Sequence, residues 1–193
     1  RIEEDHYVWL DQFTIRNLEL LDSSHENAVT LLHVLDQTLS PMGSRLLRKW
    51  MLLPLRDKIL IQERHEIVDL FIKHDELSSH LASQIRLIGD LERLISKVAV
   101  SRVSPREVVQ IQKSLLAVEH IKNIGEKANH PCLHKICEQI NPCVSVRNLI
   151  EKMLNPDAPA LINKGGVIKE GVDDTLDELR SIAFSGKDYL LKI

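Results

Sequence analysis

The feature that most constrains the fold of this chain is a helix start at Ser104-Pro105-Arg106-Glu107. In this capping-box pattern the Ser104 hydroxyl can accept a hydrogen bond from the Glu107 amide, while the Glu107 carboxylate accepts one from the Ser104 amide. Pro105 suits the first helical position, where an N–H group would have no partner inside the helix. Apolar residues then follow at spacings of three and four, namely Val108, Ile111, Leu115 and Val118. The pattern predicts a long helix with a heptad-like stripe that packs nearly parallel to another long helix.

Similar signals mark helix boundaries elsewhere in the chain. Ser40-Pro41 predicts a cap followed by the first helical residue, and Pro54 predicts the end of that helix. Asp57 predicts the cap of the next helix, which is expected to reach about Lys73 before a short break at His74-Asp75. Further helices are predicted from Glu76 to Ile88, from Asp90 to Val100 with Gly89 as the hinge, and from starts at Asn129 to Pro131 and at Ser145.

The apolar residues of these segments recur at the three- and four-residue spacing of a helix face. The predicted faces are Ala28, Leu31, Leu32 and Leu35; Met42, Leu46, Trp50 and Leu53; Ile61, Ile67, Val68 and Phe71; Leu133, Ile136, Cys137 and Ile140; and Val146, Leu149, Ile150 and Met153. Trp50 is expected to be buried, because it shares its stripe with other large apolar residues.

The residue pattern changes between Asn155 and Gly171, where Pro and Gly interrupt short apolar pairs. This stretch is predicted to be a loop with brief strands. A last helix is expected to follow, capped by Asp173 or Asp174 and open at the end of the sequence. The predicted fold class is therefore mainly α: a multi-helical core domain with long helices and a short irregular region that contains β-structure.

Composition narrows the classes of function. The 193 residues carry 25 Lys and Arg against 28 Asp and Glu, a formal charge of -3, so the chain lacks the basic excess of a nonspecific DNA binder. Its apolar runs are far shorter than the roughly 20 residues needed to cross a bilayer, so no membrane role is predicted. Three cysteines are too few for a disulfide framework and indicate a reducing cytoplasm. Without an initial Met, the chain is expected to be a piece of a longer protein.

A phosphate-binding loop is one candidate site, because Gly166 to Gly171 has the Gly-x4-Gly spacing of such loops. However, Val172 and Asp173 occupy the positions where the Lys and the Ser or Thr of a P-loop would stand. We therefore predict a flexible turn before a helix, and no nucleotide site.

A metal site is a second candidate, because His130, Cys132, His134 and Cys137 lie close together in the sequence. On a helix, however, Cys137 shares the stripe of the apolar residues while His134 points elsewhere. Cys137 is therefore predicted to be a small buried apolar residue, and no metal ligand is assigned. The other histidines form no recognisable catalytic arrangement, so no catalytic residue is assigned either.

A basic cluster around the helix after Ser40 and its exit is the remaining candidate. It comprises Arg45, Arg48, Lys49, Arg56 and Lys58, with Asp57 as the acidic residue among them. Such a cluster could contact phosphates, form a solvated face or make ion pairs with another domain. Stacking on single strands is not expected, because Trp50 belongs to the apolar stripe.

The string from Leu39 to Trp50, LSPMGSRLLRKW, together with its exit Leu53-Pro54-Leu55, resembles the core domain of the MutS family of DNA mismatch-repair proteins. The flanking motifs agree in order: Leu10-Asp11; Thr14 to Leu20; Leu31-Leu32, Leu35-Asp36 and Thr38; Arg64; Gly89 to Arg93; Gly165 to Ile168; and Leu176 to Leu179. The resemblance runs from near residue 5 to the end of the chain.

The resemblance implies that residues 1–193 are the first part of a core and lever domain, which links mismatch-binding and connector domains to a clamp and an ATPase. The helix over about 174–193 would be the start of the lever leading to the clamp. Its role would be mechanical, because stiff helices can transmit rearrangements between DNA and nucleotide. No catalytic residue is carried over by the resemblance.

The resemblance also implies partners and cofactors for the parent protein. These are mismatched duplex DNA, a second MutS subunit and a MutL-type partner, with ATP and magnesium bound outside this chain. Two other hypotheses remain at this stage. One is a helical adaptor that binds proteins and has no role in DNA repair, and the other is a zinc-dependent activity at the Cys/His cluster.

Overall fold

A computed structural model of the chain describes residues 6–23, 25 and 27–190, with side chains described as far as residue 185. The helices are α1 (Gln12–Asn17), α2 (Leu31–Leu35), α3 (Pro41–Leu52), α4 (Lys58–Lys73), α5 (Asp75–Leu87), α6 (Leu91–Ala99), α7 (Pro105–Lys127), α8 (Pro131–Gln139), α9 (Val144–Met153) and α10 (Asp174–Leu190). The mainly α class predicted from the sequence is confirmed. Residues 191–193, at the end of the predicted last helix, lie outside the described residues.

The predicted helix caps are confirmed by side-chain oxygens that accept hydrogen bonds from amides of the first turn. The distance is 3.1 Å for Ser40, 2.8 Å for Asp57 and 2.8 Å for Asp173. In the capping box the Ser104 amide lies 2.9 Å from Glu107 Oε2, and the Glu107 amide lies 3.4 Å from Ser104 Oγ. These bonds satisfy amides that have no partner inside the helix, and they explain why α3, α4, α7 and α10 start where they do.

Other helix boundaries differ from the prediction. Ala28 lies outside α2, which starts after Thr30 because the Thr30 hydroxyl accepts from the His33 amide at 3.3 Å. The break before α5 is confined to His74. Cys143, with a left-handed φ of 47°, lets α9 begin one residue before the predicted Ser145.

The short helix α1 was not predicted from periodicity. Its cap, Asp11, accepts from the amide of Thr14 at 2.8 Å and from the Thr14 hydroxyl at 3.0 Å. These hydrogen bonds lower the pKa of Asp11. The helix α1 therefore starts at a polar cap and lacks the clear apolar stripe from which periodicity predicts a helix.

The irregular stretch after α9 contains the expected brief β-structure. Leu154 and Ile168 form an isolated antiparallel bridge, and the Asn155 amide donates to the Val167 carbonyl at 2.9 Å. A short 3₁₀ turn at Ile162–Lys164 lies between the bridged residues. The predicted loop is confirmed, whereas the brief strands are reduced to this isolated bridge within the described residues.

The chain divides into two compact units. The first runs to Arg93 and resumes at Lys113–Pro142, and the second comprises Leu94–Gln112 and the residues from Cys143 onward. Each unit is described separately below.

The core of the first unit lies where α4 meets α8. Leu70 of α4 packs with Leu133 and Cys137 of α8, and Phe71, Leu77 and Ala128 surround them. Cys137 is 1% exposed and contacts the backbone of α7 at the buried Gly125. The prediction that Cys137 behaves as a small buried apolar residue is therefore confirmed.

The second unit is held by buried apolar residues and by polar contacts of its loop. Its buried apolar side chains include Leu94, Val109, Ile111 and Ala158. Arg180 of α10 donates to the Ile168 carbonyl at 2.7 Å and to Asp177 Oδ1 at 2.6 Å. These contacts hold the irregular stretch on the first turns of α10.

Several of the predicted apolar faces are wrong in detail. Trp50 is 41% exposed, and Leu46, Val68 and Leu149 are also exposed. On α7 the buried positions include Val109, Ile111, Ser114 and Ala117, whereas Val108, Leu115 and Val118 are half-buried. Small side chains at Ser114 and Ala117 let neighbouring segments approach closely, so burial on α7 follows size as well as hydrophobicity.

Candidate functional site

The basic cluster predicted from the sequence centres on α3, where Arg45 is committed to an ion-pair network. Its guanidinium donates to both carboxylate oxygens of Asp90, at 2.7 and 2.9 Å, and to Glu92 Oε2 at 2.6 and 2.9 Å. These partners raise the pKa of Arg45, and Arg45 in turn lowers the pKa of Asp90. Bidentate geometry makes this a positioning contact that joins α3 to the start of α6.

Arg48 and Lys49 lie one turn further along α3 and remain exposed. Within the described residues neither side chain forms an ion pair. Together with Arg45 they line one side of a groove of about 520 Å³. The rest of the groove is mostly apolar, and its other lining residues are Trp9, Leu10, Gln12, Ile15, Leu52 and Leu53. We call this the α3 groove.

The N-terminal segment is fixed beside the exit of α3 by backbone pairing. The Val8 amide donates to the Pro54 carbonyl at 2.8 Å, and the Arg56 amide donates to the His6 carbonyl at 2.8 Å. His6 Nδ1 also lies 3.5 Å from Asp57 Oδ2. This pairing positions the next residues, including Trp9, at the edge of the α3 groove.

The five predicted basic residues are therefore only partly brought together. Arg45, Arg48 and Lys49 line the α3 groove, whereas Arg56 and Lys58 are exposed beyond its lining. The prediction missed Trp9, which is 76% exposed at the groove edge. No sequence signal linked Trp9 to the cluster, because its neighbours in space include residues of α3, some 40 residues later in the chain.

The motif string at the start of α3 serves local structure. Asp36 accepts from the Ser44 hydroxyl at 2.5 Å, from the Thr38 hydroxyl at 2.6 Å and from the Thr38 amide at 3.1 Å. These bonds lower the pKa of Asp36. A Cβ at Gly43 would lie 3.2 Å from Ser40 Oγ and 3.3 Å from Thr38 Cβ, so the small residue leaves room for the cap. These residues fix the entry of α3.

Trp50 contacts α4 through its ring face. The Arg64 guanidinium carbon lies 3.5 Å from the centroid of the Trp50 ring, a close cation–π geometry. Partial burial lowers the pKa of Arg64. The Trp50 ring therefore joins α3 to α4 from a partly exposed position, and the predicted core role is wrong.

The Gly166 to Gly171 stretch is a turn before α10, as predicted. Gly166 and Gly171 have left-handed φ values of 69° and 80°, which glycine adopts without strain. The Gly171 amide donates to Asp177 Oδ2 at 2.6 Å, so a carboxylate of the same chain accepts from this turn. This hydrogen bond and the Arg180 contact lower the pKa of Asp177.

The residues of the Cys/His cluster do not share a site: Cys132 and His134 have separate partners, and His130 Nδ1 is buried without a hydrogen-bond partner among the described residues. The Cys132 thiol donates to Glu66 Oε2 at 3.0 Å, which raises the pKa of the thiol. His134 Nδ1 lies 3.3 Å from Glu138 Oε1, and Cys137 is buried in the core. Across the described part of the chain, no group of three or more His, Cys, Asp or Glu side chains is arranged to hold a metal ion.

The helices of the described residues include none with the length and apolar character required to cross a membrane. The fold and these contacts define a mainly helical structural domain. Its motif residues hold helix ends and helix pairs together, and the α3 groove is one of its open surface features.

Comparison with known proteins agrees with this description. The family model of MutS domain III matches residues 13–189. Three bacterial relatives named DNA mismatch repair protein MutS align with the whole chain: the protein from Bacteroides fragilis is 56% identical, that from Parabacteroides distasonis 55% and that from Bacteroides thetaiotaomicron 54%. The chain spans 22% of the length of each of these relatives. The chain belongs to the MutS domain III family.

Proposed function

We propose that the chain is the helical core of a DNA mismatch-repair protein. In this proposal residues 1–193 form the first part of the core and lever domain, and the helix from about residue 174 leads to the clamp. The domain links mismatch-binding and connector domains to the clamp and the ATPase. The observation that carries the proposal is the match to MutS domain III over residues 13–189.

The proposed role is to transmit conformational change between DNA and nucleotide. Helices suit this role because packed helices shift as units and do not deform continuously. α7 has 23 residues and is about 35 Å long at roughly 1.5 Å per residue. In the first unit, the bonds of Arg45 to Asp90 and Glu92 tie α3 to the start of α6. A movement of α3 would therefore be passed on to α6.

We propose no catalytic residue, metal or cofactor for this chain itself. ATP and magnesium would bind to the ATPase of the parent protein. The partners of the parent would be mismatched duplex DNA, a second MutS subunit and a MutL-type protein, with no membrane partner. The parent is proposed to work in the cytoplasm.

The test compares the 193-residue chain with the whole parent protein. The parent should bind mismatched duplex better than matched duplex and hydrolyse ATP, whereas calorimetry with ATP and magnesium should give no saturable heat for the chain alone. A preference of the isolated chain for the mismatch, or micromolar ATP binding by it, would contradict the scaffold role. A parent protein without mismatch preference would contradict the role in repair.

The proposed transmission has its own test in the parent protein. Arg45→Gln should weaken the dependence of ATP hydrolysis on mismatched DNA, because α3 is no longer tied to α6. Lys58→Gln is the matched control, since Lys58 belongs to the same basic cluster and is exposed outside the α3 groove. Equal behaviour of the two variants would count against Arg45 as a transmitting contact.

A helical adaptor that binds proteins and has no repair role is the second candidate. The observation that favours it is the exposure of Leu179, Ile182 and Phe184 on α10. Exposed apolar groups on one helix are typical of a surface that binds a partner. A parent protein that neither binds mismatches nor hydrolyses ATP would favour this candidate.

A further inference from the structure

We propose that the α3 groove binds an acidic amphipathic helix from another part of the same polypeptide. The inference rests on the proposed function in one respect, namely that this chain is the core of a longer multidomain protein. It adds a specific docking surface and the chemistry of its occupant.

The charge of the groove favours an acidic occupant. Arg48 and Lys49 are exposed at its edge, and the described residues supply no ion pair to either of them. Two acidic side chains adjoining groove residues already have partners: Asp90 accepts from Arg45, and Asp11 caps α1. Two cations on one side of the groove are thus available to carboxylates on an incoming segment.

The shape and lining of the groove favour a helix with one apolar face. Its volume of about 520 Å³ accommodates a few apolar side chains, and Trp9, Leu10, Ile15, Leu52 and Leu53 provide an apolar surface for them. An amphipathic helix places apolar anchors at positions i, i+3 and i+4 and keeps its charged residues at the edges. This arrangement matches an apolar groove with cations along one side.

A nucleic-acid strand fits the groove less well. A groove that binds along a phosphate backbone needs a row of cations. In the α3 groove, the charge of Arg45 is already neutralised by two carboxylates. The formal charge of -3 for the whole chain also opposes the approach of a polyanion. The observations therefore favour a protein segment.

The source of the segment follows from the length of the relatives. The chain spans 22% of their length, so most of such a polypeptide lies outside these 193 residues. A segment tethered to the same chain is present at a high effective concentration. An open groove with two cations is then sufficient to hold it, even where a free peptide would bind weakly.

The experiment uses photo-crosslinking in the whole parent protein, with Trp9 replaced by p-benzoyl-phenylalanine. The expected result is an intramolecular crosslink to one acidic, amphipathic helical segment outside the 193 residues, identified by mass spectrometry. Ile72 of α4, replaced in the same way, is the matched control because Ile72 and Trp9 are both 76% exposed and Ile72 does not line the groove. The control should not give this crosslink.

Charge reversal then tests the role of the cations. Arg48→Glu with Lys49→Glu should lower the yield of the Trp9 crosslink by at least about fivefold, whereas Arg56→Glu with Lys58→Glu should leave it unchanged. Absence of the crosslink, equal loss in both pairs, or crosslinking to added DNA instead of protein would overturn the proposal. Mismatch binding and ATP hydrolysis are measured on the same samples, so loss of the docking contact is distinguished from failure of the repair function.

Discussion

At the scale of single residues, Glu107 joins the start of α7 to α6. Its carboxylate accepts from the Lys97 ammonium, from the Ser104 amide at 2.9 Å and from the Ser104 hydroxyl at 3.0 Å. The Lys97 contact, followed by the Ser104 contacts, lowers the pKa of Glu107 to about 2. Each of these partners favours the ionised carboxylate, so protonation of Glu107 weakens the folded state.

The sign of the resulting pH dependence follows from this lowered pKa. The contribution of Glu107 to the free energy of unfolding is fully present above its usual value of 4.5, and it is lost as the pH falls toward 2. Glu107→Gln should therefore show a shallower loss of stability between these pH values than the unmodified chain. Denaturant unfolding at several pH values measures the difference.

Glu170→Gln is the matched control for the acid profile. Glu170 is exposed in the turn before α10, and it makes no hydrogen bond or ion pair with the other described residues. The prediction for Glu107 is contradicted if Glu107→Gln and Glu170→Gln give the same acid profile.

Trp50 shows how a partly exposed side chain can still contribute to stability. A fully buried Trp costs about 3 to 5 kcal/mol when truncated to Ala, but 41% of Trp50 is exposed and its main described contact is the Arg64 stack. We expect Trp50→Ala to cost about 1 to 2 kcal/mol, from partial burial and a cation–π contact of about 0.5 to 2 kcal/mol. Chemical denaturation of the 193-residue chain measures this loss.

Two further variants decide the interpretation of Trp50. Trp50→Phe should retain more than half of the stability lost in Trp50→Ala, because a smaller aromatic face remains under Arg64. Trp9→Ala, at a mostly exposed position, should change stability by less than about 0.5 kcal/mol in the isolated chain. A loss above about 3 kcal/mol for Trp50→Ala would contradict this interpretation and indicate a core residue.

At the scale of helices, the contact between α7 and α8 depends on a residue without a side chain. Gly125 is buried, and a Cβ at this position would overlap the Cys137 sulfur. The helix-breaking tendency of glycine costs roughly 0.5 to 1 kcal/mol relative to Ala, yet here the small residue permits the close approach of the two helices. Periodicity predicted the apolar face of α8 but gave no sign of this close packing.

Gly125→Ala is expected to destabilise the chain by about 1 to 3 kcal/mol, the usual range for overpacking a core. Cys137→Ala alone should cost about 1 kcal/mol through lost packing of the buried sulfur. In the double variant the new methyl group occupies the space left by the sulfur, so much of the loss should be recovered. A double-mutant cycle by denaturant unfolding gives the coupling. Additive losses would show that the helices separate to accept the methyl group.

The ion pairs between Arg45 and the start of α6 also could not be predicted from the sequence. Arg45 stands 45 residues from Asp90 and 47 from Glu92. The basic cluster was recognised as a candidate for phosphate or interdomain contact. Arg45 of this cluster instead holds two helices together. Its guanidinium binds two carboxylates whose positions beside it arise only in the folded first unit.

At the scale of the whole molecule, α10 carries apolar side chains that the described residues leave exposed. Leu179, Ala183 and Phe184 are exposed, whereas the stripe on α7 is buried or half-buried. Of these two helices, α10 therefore presents the more exposed apolar stripe. Large exposed apolar patches commonly bind partners. In the parent protein, another segment of the polypeptide could be the partner that covers this surface of α10.

We expect the isolated chain to self-associate with increasing concentration through α10. Sedimentation over a wide concentration range measures this association. Leu179→Glu with Ile182→Glu should weaken it, whereas Ile72→Glu, at an equally exposed apolar position on α4, should leave it unchanged. A chain that stays monomeric at all concentrations would show that this surface is too small to pair.

The short-range features of this protein were determined by the sequence itself. Caps at Ser40, Asp57, Ser104 and Asp173 connect groups at most three residues apart, so their chemistry is complete in a local stretch of chain. The family motifs are equally local strings, which is why the mainly α class and the family could both be predicted.

The tertiary structure alone decided which faces are buried and where the open surface lies. The α3 groove brings Trp9 to the side of Arg48, Cys137 occupies the space beside Gly125, and Arg64 covers Trp50. Such pairs depend on how far each helix is rotated about its axis and on which small residue permits close approach. Periodicity locates an apolar stripe, but the packing of distant segments determines how much of that stripe is covered.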